Sequence, residues 1–270
     1  MEFNLLRTVL LFGTGICAGF INTVAAGGSL LALPMLIFLT SDPVLANGTN
    51  RVAIFFQNLS AIMGFRRKGV SDFRYGILLA VPAAIGAWIG AKIAIGTDAA
   101  LFQFILAAVM LIMLALTLLN PTGKLKDRIE SSGTGATVIA MVVFFFIGIY
   151  GGFIQAGVGL LVITALRLLT GIDLVRTNAI KVFVIFCYTV VALGTFILNK
   201  QVDWTLGLTL AIGNATGAWI GSHWAVEKGD KWIKVVLVVT VLVFATNLAL
   251  EPFNLDIQSL LEAWLASRIA

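Results

Sequence analysis

Charge is scarce in this chain. Only 11% of its 270 residues are Asp, Glu, Lys or Arg, and 60% are apolar. A soluble domain carries about 25% charged residues, so an ordinary water-soluble globule and a disordered chain are both excluded. Cysteine is scarce too. Cys17 and Cys187 lie in apolar runs and read as small hydrophobes, not as a disulfide or metal site. There is one histidine, His223, which reads as an interfacial or packing residue. No HExxH, CxxC or serine elbow occurs, and Gly123-Lys124 lacks the upstream glycine and the following hydroxyl of a nucleotide-binding loop. Catalysis, ATP hydrolysis and a resident cofactor are therefore without support. Acids are missing from the apolar runs: Asp42, Asp72, Asp98, Asp173, Asp203 and Glu251 lie in loops or at span edges. That argues against a cation site or carboxylate relay deep in a membrane.

What is present is long apolar sequence, with a mean hydropathy of +1.03. A helix needs about 20 apolar residues to cross the hydrocarbon core. Candidates are 5–20, 50–64, 75–95, 101–119, 136–152, 179–198, 206–225 and 232–250. Two shorter runs, 30–40 and 160–169, each follow a glycine-rich break and read as re-entrant segments or halves of broken helices. The basic residues choose a topology. With ten segments, twelve of the 18 lie on the side of Arg66–Lys68, and only Arg7, Lys200 and Arg268 lie on the other. With eight segments the split is ten to five, so the ten-segment arrangement is preferred. The net charge of +5 is thus mainly topology and no sign of a nucleic-acid partner. Arg51, Lys92 and Lys181 belong to neither side; they lie within or at the edge of spans.

The chain also repeats itself. Gly86-Ala-Trp-Ile-Gly90 recurs as Gly217-Ala-Trp-Ile-Gly221, 131 positions on, and Asp72-Phe73 matches Asp203-Trp204 at the same shift. At a shift of 130, Ala26-Gly-Gly-Ser-Leu-Leu31 aligns with Ala156-Gly-Val-Gly-Leu-Leu161, and Arg51 falls on Lys181. The expected fold is an all-α polytopic membrane protein of two homologous, inverted repeats of about five helical segments each. Residues 1–120 form the first repeat, 121–135 a cytoplasmic linker and 136–250 the second repeat. Residues 251–270 form a C-terminal amphipathic helix, suited to the membrane surface or to a homodimer contact. Inverted repeats place a substrate site near the midplane, between the halves.

Gly27, Gly28 and Ser29, with Gln155 and Gly157 in the second copy, precede the short helices. A helix start offers free N–H groups and about half a positive charge, and glycine admits a ligand close to the backbone. Tight helix packing is the alternative, and it is the preferred reading of the two GAWIG segments. Arg51 and Lys181 are embedded cations at matching positions with no acid nearby on the same helices. Such a residue is costly and usually functional, although snorkelling to headgroups remains open. Asn47, Asn50, Gln57, Asn58, Thr177 and Asn178 surround them and would cap helices or line a wet cavity. The expected site for a small anionic substrate is Arg51 and Lys181 for neutralisation, with the two helix starts, Asn50, Gln57, Gln155 and Asn178 as further contacts.

The run Ala26-Gly-Gly-Ser-Leu-Leu-Ala-Leu-Pro34, the following Ala46-Asn-Gly-Thr49, the second copy and the paired GAW-x-G resemble the sulfite exporter TauE/SafE family of duplicated permeases. The resemblance runs to about residue 250. It implies a multi-pass bacterial inner-membrane transporter for sulfur-containing oxyanions such as sulfite or organosulfonates, with the glycine breaks forming the anion path. The second copy departs from the family's GGG, reading Gly157-Val-Gly159, and has Thr164 where the first has Pro34. An anion channel on the same scaffold and a non-transporting scaffold subunit are the rival readings.

Overall fold

The computed structural model describes residues 5–24, 27–70, 73–118 and 134–250, which form nine helices with no strand among them. In order these are α1 (Leu5–Val24), α2 (Ser29–Thr40), α3 (Pro43–Arg67), α4 (Phe73–Gly96) and α5 (Ala99–Leu118). Then follow α6 (Thr134–Phe153), α7 (Val158–Thr170), α8 (Leu174–Leu198) and α9 (Trp204–Leu250). Residues 134–135 open α6 instead of closing a linker, and the rest of the expected linker lies outside the described residues. So does the expected amphipathic helix after 250.

The polarity is that of a protein in lipid. Arg51 and Lys181 are buried, while Ile85, Phe146 and Ile212 are more than half exposed. A soluble protein arranges these classes the other way round. Among the described residues, three helices qualify by length and composition as spans: residues 7–24, 74–96 and 174–198. α3 falls short because Asn47, Asn50, Arg51, Gln57, Asn58 and Ser60 lie along it, and all are buried inside the protein.

α2 and α7 have 12 and 13 residues, so each reaches only about 18–20 Å of a hydrocarbon core about 30 Å thick. Each is followed by a tight turn into a capped helix. Ser41 adopts a left-handed conformation after α2 and Gly171 does so after α7. The Asp42 carboxylate then accepts from the N–H groups of Val44 and Leu45, and that of Asp173 accepts from Arg176. Those acids are helix caps. The two expected spans 206–225 and 232–250 are instead one helix, α9, unbroken through Glu227-Lys-Gly-Asp230. The segment contains no proline, and a lone glycine costs a helix only about 1 kcal/mol. At the N-terminal side of that stretch, Lys68 Nζ meets Glu227 at 2.7 Å and ties the end of α3 to α9. The ammonium holds the Glu227 carboxyl below the usual carboxylate range.

The two GAWIG segments are packing surfaces. A Cβ on Gly86 or Gly90 of α4 would overlap the carbonyl oxygens of Phe145 and Ile149 on α6, and one on Gly217 of α9 would overlap that of Ile16 on α1. Gly148, Gly152 and Gly19 reciprocate from the facing helices. Small residues let these backbones touch. Gly217→Ala and Gly86→Ala should therefore each destabilise the folded protein by about 1–3 kcal/mol, as overpacking does. Gly13→Ala, with nothing within 4 Å of its Cβ, should be neutral or gain about 0.5–1 kcal/mol from helix propensity. Thermal unfolding in detergent reads the contrast.

Candidate functional site

Each broken helix leaves carbonyl groups at its end that must find donors inside the protein. At the end of α6, Arg51 donates from its two terminal nitrogens to Gly151 O at 3.0 Å and Gly152 O at 2.5 Å, and Asn47 Nδ2 donates to Phe153 O at 2.8 Å. At the end of α1, Lys181 Nζ donates to Asn22 O at 2.8 Å and Thr23 O at 3.1 Å, and Asn178 Nδ2 donates to Val24 O at 3.1 Å. A cation and an amide from α3 thus close α6, and a cation and an amide from α8 close α1. Positive charge also suits the negative end of each helix dipole.

These contacts occupy the two cations. The third ammonium hydrogen of Lys181 goes to Asn178 Oδ1 at 2.7 Å. Arg51 donates further to Gln155 Oε1 at 3.1 Å and stacks 4.7 Å from the Phe196 ring centroid, while its Nε is buried without a partner. Neither residue lines the cavity between the two glycine breaks.

That cavity, about 20 Å³, is lined by Asn22, Ser29, Ile54, Gln57, Asn58, Gln155, Gly157, Val158, Gly159 and Ile185. Its two helix starts differ. The first N–H of α2, on Ser29, is taken by Asn22 Oδ1 at 3.2 Å. α7 has no side-chain cap; Gly157 precedes it in a left-handed conformation with φ of 69°. The Leu160 N–H donates to Gly157 O at 2.9 Å, so the N–H groups of Val158 and Gly159 ahead of it are the open anion-attracting end. Gln57 Oε1 accepts from Asn22 at 3.0 Å and from Asn214 at 3.3 Å, so its amide nitrogen is left for the cavity. Gln155 is held on the opposite side, between Arg51 and the Thr189 hydroxyl at 3.1 Å.

Of the residues expected from sequence, Ser29, Gln57, Gln155 and Gly157 come together on this cavity. Arg51, Lys181 and Asn178 stand behind it as caps. Asn50 is buried with its Oδ1 unpartnered and does not line it. Gly27 and Gly28 are outside the lining as well, and Gly28 sits so close to α1 that a Cβ would overlap Ala18 O. Sequence reasoning missed the lining residue Asn22 and the supporting residues Thr189 and Asn214. It named Asn58 only as one of several polar neighbours. A usable signal was the placement of Asn47 and Asn178 one turn before Arg51 and Lys181, which puts amide and cation on one helix face.

Known proteins resemble this chain along most of its length. The family described as Sulfite exporter TauE/SafE matches residues 11–248. A probable membrane transporter protein, ORF9, of Sinorhizobium is 28% identical over 93% of this chain and 95% of its own. A probable membrane transporter protein of Haemophilus influenzae is 27% identical, covering 88% and 93%, and the probable membrane transporter protein YfcA of Escherichia coli K12 is 26% identical, covering 92% and 91%. No solved structure matches.

Proposed function

This chain belongs to the sulfite exporter TauE/SafE family, and from that premise we propose that it is a secondary transporter of small sulfur-containing oxyanions such as sulfite or organosulfonates. It is a multi-pass protein of the bacterial inner membrane. The observation that carries the reading is the cavity between the glycine breaks, where the uncapped start of α7 meets the amide nitrogen of Gln57 and the hydroxyl of Ser29. Those groups offer hydrogen bonds to several oxygens of one ligand without a catalytic residue among them. The cavity holds about one water in this state, so an oxyanion enters only when the breaks part. Each break is closed by a cap from the other half, so parting one loosens the contact between halves; alternating access around this point is the mechanism proposed.

Arg51 and Lys181 act in this proposal as supports that hold the helix ends, and Gln155 carries the influence of Arg51 to the cavity wall. Purified protein in proteoliposomes should show saturable, gradient-responsive flux of labelled sulfite that methanesulfonate competes. Unitary currents in a bilayer would favour an anion channel instead. Absence of flux from the purified chain would favour a scaffold subunit.

A further inference from the structure

The cavity lining contains no charged side chain. Around it the charged or titratable groups are Arg51 on α3, Lys181, Cys187 and Tyr188 on α8, and Tyr150 on α6. Arg51 and Lys181 are turned to helix-end carbonyls, Tyr150 donates to Ala156 O, and none of the five lines the cavity. A ligand in the cavity therefore meets the start of α7, equivalent to about half a positive charge, directly, and the two cations only through Gln155 and Asn22, to which they donate. Desolvation cost rises with the square of the charge, so entry costs a dianion far more than a monoanion.

One lining residue is also of the wrong polarity for a bare anion. Asn58 is 1% exposed; its Nδ2 donates to Ile54 O at 2.8 Å, and its Oδ1 is buried with no partner. Turning the amide over would set Oδ1 against the Ile54 carbonyl, so the hydrogen bond fixes the oxygen as the free end. An unpaired buried acceptor is expensive, and beside this cavity it is satisfied by a ligand that brings its own proton.

Resting on the transport reading above, we infer that the cavity selects the singly charged, protonated form of an oxyanion, and that Asn58 sets this preference by accepting the ligand's O–H. Hydrogensulfite qualifies; sulfite and sulfate dianions do not. Methanesulfonate is a monoanion without that O–H and should bind through the other donors alone. Sulfite and hydrogensulfite interconvert near neutral pH, so proton linkage exposes the choice.

The test uses the full chain in proteoliposomes and measures competition against labelled methanesulfonate flux from mildly acidic to mildly alkaline pH. Sulfite should lose apparent affinity about tenfold per pH unit above its second ionisation, methanesulfonate should be flat, and sulfate should compete poorly throughout. Asn58→Leu should lower the hydrogensulfite-to-methanesulfonate affinity ratio about tenfold, the scale of one lost hydrogen bond at a buried acceptor. A purely structural role would lower both affinities together. Sulfite competition that ignores pH, or sulfate competing as well as hydrogensulfite, overturns the inference while leaving anion transport standing. Methanesulfonate flux that is absent at every pH, with no anion bound, overturns both. The wild-type pH profile decides the matter even if the variant fails to fold.

Discussion

Arg51→Met should cost the protein its fold before it costs an anion its site. The substitution keeps an unbranched apolar stem but removes donors from Gly151 O, Gly152 O and Gln155 Oε1. Each buried acceptor left unpaired costs about 1–3 kcal/mol, so the three together approach a large share of a typical stability of about 5–15 kcal/mol. Lys181→Met should do the same at the end of α1, where Asn22 O, Thr23 O and Asn178 Oδ1 lose their partner. The readouts are monodispersity and thermal unfolding in detergent. Arg51→Lys should be intermediate, because one ammonium does not reproduce a fork spread over two successive carbonyls and an amide. Arg51→Met combined with Asn47→Leu should be non-additive, since both act on the end of α6, whereas the Arg51 and Lys181 variants should add. An Arg51→Met protein that melts like wild type and has lost only its anion affinity would return the guanidinium to the substrate.

That expectation shows what the sequence could and could not carry. Two cations in apolar surroundings at matching positions are visible in one dimension, and so is the inference that they are needed. Their partners are not. Arg51 reaches residues 100–104 positions away and Lys181 reaches residues 158–159 positions away. Without knowing which helix ends lie opposite, a substrate anion is the natural counterpart to assign. The GAWIG segments were legible because spacing of small residues is itself the packing motif. The glycine breaks were legible because short apolar runs cannot span a bilayer, and Ser29, Gln155 and Gly157 followed from them; Gln57 was named as a polar neighbour of Arg51.

Other parts were hidden for physical reasons. Asn22 is one amide in an apolar helix; only its bonds to Ser29 and Gln57 reveal that it joins α1, α2 and α3. The repeat register seen in the sequence does not make the two copies alike at every position. Asn58 falls on Tyr188 at a shift of 130, so a lining amide in one half corresponds to a buried phenol in the other. The cavity is accordingly lopsided, with polar side chains from α1, α2 and α3 facing Gln155 and the backbone at the start of α7. The charged stretch 227–231 suggested a break in α9 because charge marks a membrane boundary, yet charge by itself does not end a helix.

Gln57→Glu should abolish anion transport with little change in shape. The new carboxylate is isosteric, and one oxygen still accepts from Asn22 and Asn214. The other replaces the amide nitrogen that the cavity retains, so a donor becomes a negative charge. At about 4 Å and an effective dielectric of about 20, two like charges repel by about 4 kcal/mol. That corresponds to roughly a thousandfold loss of affinity at about 1.4 kcal/mol per factor of ten. Burial and a neighbouring anion both favour the neutral acid, which gives the prediction a sign in pH. Methanesulfonate, whose own charge does not change, should regain flux as the medium is acidified and the introduced carboxyl takes up a proton. Wild type should show no such recovery with that probe. A Gln57→Glu protein that folds and carries methanesulfonate at neutral pH as wild type does would place the anion path somewhere other than between the two glycine breaks.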